Sequence, residues 1–319
     1  MTTKALDLGI SEIQEAVQNQ LPVLFDLSDY GIIQVRGPDT VKFLQGQLTC
    51  DLVKLQENQA VIGALCSPKG RIIALFDLLK VSSTECWLLL PKETLELTLT
   101  TLKKFGVFFP CDITDNSEDF SIVGQLKTSP ETSNDSDANL SRQILQSDSD
   151  FIVSWAQNRT VRISPTRQTE SFLEQAKKEN PSTKIFSEVL WRYLDIEQGR
   201  ARLHKSTQET FLPHNLNLHE MGGISFDKGC YTGQEVVARM HYKGKLKSHL
   251  FRLFSDDACQ TALPGEPIYG ENEKIGEVVT CAKVGEKALV LGFCKDKIEN
   301  LAKIQCNLEN TSILSMLDH

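Results

Sequence analysis

The sequence predicts an α+β fold with an antiparallel sheet and a β-rich C-terminal domain. Three observations carry this reading. Two β-rich runs, residues 60–66 and 71–79, flank Ser67-Pro68-Lys69-Gly70, whose turn chemistry makes them a hairpin. A buried strand at 86–90 and a helix at 92–105 follow, so strands cluster instead of alternating one for one with helices. From about residue 248, short β-like segments are separated by Gly265, Gly270, Gly276 and Gly285 and include an apolar run at 288–293. That pattern reads as a small β-barrel or sandwich.

The elements follow in order. Residues 11–20 form a short amphipathic helix. Residues 24–27 and 31–35 are strands about a turn at Ser28-Asp29-Tyr30. Asp39 is placed to cap a helix carrying Val41, Phe43, Leu44 and Leu48. In the helix at 92–105, Leu95, Leu99 and Leu102 share one stripe. Residues 120–126 are a strand. Residues 127–141, rich in Ser, Thr, Asn and Asp, read as a flexible surface loop, because strand patterns resume at 151–153 and 161–163. Helices follow at 170–178 and 187–198, the second stopped by Gly199.

The 319 residues suffice for two or three domains. No run approaches the ~18 apolar residues of a membrane helix. The N-terminal stretch, with Asp7, Glu12 and Glu15, reads as neither signal nor transit peptide, which predicts a cytosolic protein. Nine cysteines, none closer than twelve residues to another, show no zinc spacing and predict reduced thiols. His214 and His219 are spaced i, i+5, which is not a helical ligand pair. Net charge is −8, yet residues 199–252 hold nine Lys/Arg against four Asp/Glu. A basic segment in an acidic chain points to a local anion site.

The segment 228–235, Lys-Gly-Cys-Tyr-Thr-Gly-Gln-Glu, concentrates the chemistry. Thr232 and Glu235 have capping-box spacing, and Val236, Val237 and Met240 give a helix face after them. Gly229 and Gly233 permit a tight turn and close approach. Cys230 then sits near a helix N-terminus with Lys228 beside it, a setting that lowers a thiol pKa from roughly 8.5 towards neutrality. The bland alternative is a cysteine filling a small apolar space.

With Gly222-Gly223-Ile224-Ser225-Phe226 ahead of it and Val236 to Arg239 behind, this segment resembles the YgfZ family, folate-binding relatives of the glycine-cleavage T-protein (aminomethyltransferase). Weaker matches are 43–49 with Asp51, Pro68-Lys69-Gly70-Arg71, Ile196-Glu197-Gln198-Gly199, and Pro213 with Asn215-Leu216. The resemblance implies a T-protein-like three-domain arrangement around a central opening. The domains would be 1–50 with 186–247, 51–185, and a C-terminal barrel at 248–319. It implies a bound tetrahydrofolate or derivative and a role in assembling or repairing iron–sulfur enzymes, including those that thiomethylate tRNA. The partners are then those enzymes or their assembly proteins, with tRNA involved indirectly and no membrane. It implies Cys230 as the functional thiol, and Tyr30, Trp191, Glu197, Lys228, Tyr231, Gln234, Glu235 and Arg239 around the cofactor. Tyr30 and Trp191 would stack on the pterin, and Glu197 would accept from its aminopyrimidine edge. Lys243, Lys245 and Lys247 would attract a glutamate tail or an RNA phosphate. On the residues alone, Trp191 also suits a helix core, Tyr30 a partly exposed turn, and Glu197 a pair with Arg200 or Arg202. Two other functions are a folate-dependent aminomethyltransferase and a direct tRNA-binding factor. The first lacks the Asp that T-proteins carry after the strand at 86–90, and the second lacks a recognised RNA motif.

Overall fold

In the computed structural model the described residues are 2–126, 142–147, 150–156, 158–244, 246–255, 262–271, 273–285, 287–296, 298, 304–306 and 315–316. The loop expected at 127–141, Cys259 and Lys245 lie outside them.

The fold is α+β, built on two sheets. The larger has eleven strands in the order β11-β1-β7-β10-β9-β8-β3-β4-β5-β2-β6. Its first half contains β1 (Val23–Asp26), β7 (Phe120–Leu126), β8 (Arg142–Ser147), β9 (Asp150–Ala156), β10 (Arg159–Pro165) and β11 (Lys184–Phe186). Its second half contains β2 (Tyr30–Arg36), β3 (Gln59–Cys66), β4 (Ile72–Ser82), β5 (Glu85–Pro91) and β6 (Asp112–Asp115). The halves join where Gln59 and Ala60 of β3 pair with Gln143 and Arg142 of β8. The smaller sheet, β16-β13-β14-β15-β12-β17, is the antiparallel C-terminal half-barrel, in which β14 (Glu273–Val284) and β15 (Lys287–Lys295) are longest after β12 (Ser248–Ser255) is joined. Its outer strands are β13 (Pro267–Gly270), β16 (Ile304–Gln305) and β17 (Ser315–Met316).

Five long helical patterns become α1 (Thr2–Gln18), α3 (Lys92–Gly106), α4 (Thr166–Glu179), α5 (Glu188–Glu197) and α6 (Gln234–Lys243), with α2 (Thr40–Gln45) a shorter one. Asp39 precedes α2 but makes no side-chain cap; its carboxylate lies 3.5 Å from Lys42 Nζ instead. Gly199 ends α5 in the left-handed region, φ +69°.

The core positions the site. β4 is buried on both faces for nine residues, so its sequence is nearly all apolar. Its two exceptions are neutralised: Asp77 by arginines, and Lys80 by the carbonyls of Leu52 and Leu55 at 2.8 and 2.6 Å. α5 serves two cores. Leu190 and Trp191 enter the one under β1 and β7, while Ile196 enters the one shared with Val279, Ala282, Leu289 and Leu291 of the half-barrel. Helix α5 thereby ties the small sheet to the large one. No helix among the described residues is long and apolar enough to cross a membrane.

Candidate functional site

The signature segment is held by anchors on three sides. Thr49 Oγ1 donates to the Gly223 carbonyl (2.6 Å) while accepting from the Ala64 amide (2.9 Å), and the Ser225 amide donates to the Thr49 carbonyl (2.9 Å). Lys228 turns inward. Its Nζ donates to the carbonyls of Leu48 and Cys50, both at 2.7 Å, and lies 5.1 Å from the centre of the Tyr231 ring. Burial pushes this ammonium down to about 8, although the nearby Cys50 thiol and Asp51 favour its charge. Tyr231 is 6% exposed, and burial raises its phenol far above its ordinary value. The Thr232 amide reaches the Gly46 carbonyl at 3.3 Å.

The third anchor is Gly233. It is the N-cap residue of α6, with φ +84°, and its α-carbon faces the hairpin tip between β3 and β4. A Cβ there would meet the Ser67 carbonyl oxygen at 2.6 Å. The expected capping box is therefore not formed. α6 starts two residues later than Thr232, and Thr232 Oγ1 faces Gln47 Oε1 at 3.4 Å. Gly229 also departs from expectation: nothing lies within 4 Å of where its Cβ would be, so it makes no close approach.

With Lys228 and Tyr231 drawn in, Cys230 is left facing out. Among the described cysteines, Cys50, Cys66, Cys86, Cys294 and Cys306 are buried and Cys111 and Cys281 are intermediate, while Cys230 is exposed. This excludes the space-filling alternative. It also corrects two assignments: the amino group of Lys228 and the ring of Tyr231 are committed to holding the loop, not to a ligand. Gln234 is half-buried, and Glu235 and Arg239 are exposed on α6.

Trp191 is the clearest correction. It is completely buried, with Gly124 so close that a Cβ would lie 2.7 Å from its ring. Phe25 stands edge-on at 5.2 Å and the Arg159 guanidinium lies at 4.6 Å. No face remains for a pterin, so the helix-core alternative holds. Its Nε1 has no hydrogen-bond partner. Glu197 lies at the surface end of α5. Partial burial raises its pKa, against the hydrogen bond from Tyr193 and the charges of Arg159 and Arg252. Neither expected pair with Arg200 or Arg202 is formed; Arg200 bonds Asp77 and Arg202 bonds Asp29.

Tyr30 is 6% exposed, with the Arg202 guanidinium 4.7 Å from its ring and Trp155 edge-on at 6.0 Å. It lies between two cavities. The inner one, bounded also by Asp77, Trp155, Asp195, Arg200 and Arg202, has only about 20 Å³ of free space. Charge fills it. Asp77 is held by Arg142 and Arg200, Asp195 by Arg159 (2.8 Å), and Arg202 by Asp29. Burial would raise the Asp77 pKa, but the two guanidiniums more than offset this and hold it below the usual carboxylate range. Sequence reading missed this cluster; Arg200 and Arg202, alternate residues just after a helix-stopping glycine, were its visible trace.

The outer cavity, about 300 Å³, lies against β7 and α4. Phe25, Tyr30, Phe120, Ile122 and Leu173 supply apolar walls, and Asp26, Glu118, Lys92 and Thr169 supply polar groups. Thr169 Oγ1 is buried without a hydrogen-bond partner among the described residues. A third cavity, about 310 Å³, lies at the half-barrel beside Arg71, Lys274 and Lys295. Neither Cys230 nor Trp191 lines any of the three.

No family model matches the chain. The chain is 34% identical over 282 residues to tRNA-modifying protein YgfZ of Colwellia psychrerythraea, covering 85% of each. It is 34% identical over 224 residues to tRNA-modifying protein YgfZ of Vibrio atlanticus, covering 70% of this chain and 67% of that one. Among solved structures, the glycine cleavage system aminomethyltransferase T from Bartonella henselae superposes with a TM-score of 0.66 at 15% identity, over 93% of this chain and 85% of that one. The second likeness concerns the fold alone, whereas the first, with a signature segment built around an outward cysteine, is one of sequence over most of the chain: this protein belongs to the YgfZ family.

Proposed function

We propose that the protein takes part in tRNA modification as a cytosolic, folate-binding accessory factor for iron–sulfur enzymes, with Cys230 as its functional thiol. The observation that carries this reading is the exposure of Cys230 between two inward anchors. A loop evolved only for packing has no use for two buried polar side chains that leave a thiol in solvent. One cysteine cannot hold a cluster, and no group of three His, Cys, Asp or Glu fit to bind a metal exists among the described residues. Cys230 therefore acts on a centre whose other ligands belong to the client.

The residues present fit a reduced folate in the outer cavity rather than between Trp191 and Glu197. Its volume, about 300 Å³, falls at the lower end of the ~300–1,000 Å³ typical of ligand pockets. Phe120 and Leu173, both partly exposed, offer apolar surface to a flat ring, with Tyr30 beside them. Asp26 and Glu118 can accept from an aminopyrimidine edge, Thr169 Oγ1 needs a partner, and Lys92 can meet a glutamate carboxylate. When bound, a reduced folate supplies a one-carbon carrier; the chain's residues bind and orient it. An aminomethyl transfer is less well supported. Glu93, the acid nearest the expected Asp position, is held by His204 Nδ1 (2.8 Å) and the Lys205 amide (3.1 Å).

Two results test the reading. In cells lacking the protein, Cys230→Ala is expected to leave thiomethylated tRNA at the deletion level, read by mass spectrometry of nucleosides. Full restoration by this variant would remove the thiol from the function. Separately, tetrahydrofolate is expected to change tryptophan fluorescence, since Trp155 touches Tyr30. Glu118→Ala, an exposed position, should weaken that titration about tenfold, the equivalent of one charge-assisted hydrogen bond. An unchanged titration would move the ligand elsewhere.

A further inference from the structure

A nest of flat rings stands on the C-terminal half of α6, away from both cavities at Tyr30. His241 lies face to face with Phe226, centroids 3.7 Å apart and 16° from parallel. Tyr242 stands edge-on to both, at 4.9 and 6.2 Å, and is 68% exposed. Behind them His214, 3% exposed, lies 5.9 Å from Phe226, 6.0 Å from His241 and 5.0 Å from His219. Both ring nitrogens of His214 and Nδ1 of His219 are buried without hydrogen-bond partners among the described residues. Burial pushes His214 down to about 4, and the neighbouring imidazoles add to this, so it is neutral at physiological pH. A neutral imidazole presents one donor and one acceptor.

Charge frames the nest. Arg239, Tyr242 and Lys243 are spaced i, i+3, i+4 and so share a face of α6. Arg239, Lys243 and the following Lys247 are exposed and make no ion pair among the described residues. The acids at its edge are Glu220, 3.8 Å from His219 Nε2, Asp227, next to Phe226 in the chain, and Glu235, one turn before Arg239 on α6. The three imidazoles do not form a metal-binding group.

From this arrangement we infer that the nest binds an unpaired base of RNA. The base stacks on the exposed ring of Tyr242, as sequence-tolerant single-strand binders stack bases on exposed aromatic rings. The flanking phosphates meet Arg239, Lys243 and Lys247. The choice of RNA over another aromatic anion rests on the tRNA-linked reading above; the exposed ring and the charges stand without it.

The test is fluorescence anisotropy of the full chain with a labelled single-stranded oligoribonucleotide and with the same sequence as a duplex, at about 50 and 200 mM salt. The expected result is preference for the single strand and about tenfold or greater weakening by Tyr242→Ala, since stacking is worth about 1–3 kcal/mol per base. Lys243→Gln and Lys247→Gln should each flatten the salt dependence. Tyr242 is mostly in solvent, so its removal leaves the core intact. Binding unaffected by Tyr242→Ala, equal affinity for the duplex, or no single-strand binding at the lower salt would each overturn the proposal. The folate titration, measured on the same variants, should not change; its failure in the parent chain would strike the folate reading and leave this one standing.

Discussion

Asp77→Ala is expected to lower the unfolding free energy by about 3–5 kcal/mol at neutral pH, the cost of leaving buried charges without their counterion. Asp77 is 3% exposed in the middle of β4, and both Arg142 and Arg200 point at it. Among the described residues neither guanidinium has another carboxylate at ion-pair distance, and Arg142 Nη1 already lacks a partner. The effect carries a pH signature. The folded-state pKa of Asp77 is depressed, so its stabilisation is fully present above the ordinary carboxylate value, near 4, and is lost as pH falls through the folded value. Urea midpoints of parent and variant should therefore differ most at pH 6–8 and converge in acid. A constant gap from pH 7 down to strongly acid conditions would contradict the assignment.

Lys228→Met is expected to cost about 2–4 kcal/mol and to abolish function with Cys230 untouched. Methionine keeps much of the stem but donates nothing, which strands the Leu48 and Cys50 carbonyls, each at about 1–3 kcal/mol before relaxation. Some of that loss is returned, because the buried ammonium itself is unfavourable, as its low pKa records. Denaturant midpoints measure the cost. Restoration of thiomethylated tRNA measures the consequence for the loop. A folded Lys228→Met protein with parental activity would show that the clamp does not serve the cysteine.

The sequence disclosed most long elements because their patterns are local. The hairpin about Pro68 and the helix at 92–105 follow from turn residues and a leucine stripe. β6 and β11 escaped notice because Asp112–Asp115 and Lys184–Phe186 are short edge strands with little apolar alternation; they exist by pairing with β2 and β1. The site was legible as a motif but not as a geometry. Lys228, Cys230 and Tyr231 are visible together, yet which of them turns inward depends on carbonyls some 180 residues earlier. The stacking role of Trp191 is implied by the family resemblance alone. Its burial is set by Gly124 and Arg159, which nothing local connects to it. The arginine–aspartate cluster gathers residues from position 29 to 202 and has no local pattern at all.

The seam between the halves of the large sheet has a mechanical meaning. Two residue pairs join β3 to β8, helped by the Ile144 amide on the Asn58 carbonyl. Arg142, a member of one pair, also reaches across to Asp77 on β4. Backbone stitching and side-chain tether are thus borne by one residue. With the core that Ile32, Trp87 and Leu89 of one block share with Ile122, Phe151 and Val161 of the other, this seam couples the six-strand and five-strand blocks into one cooperative unit, and amide exchange at Ala60 and Ile144 should be as slow as in the middle of either block.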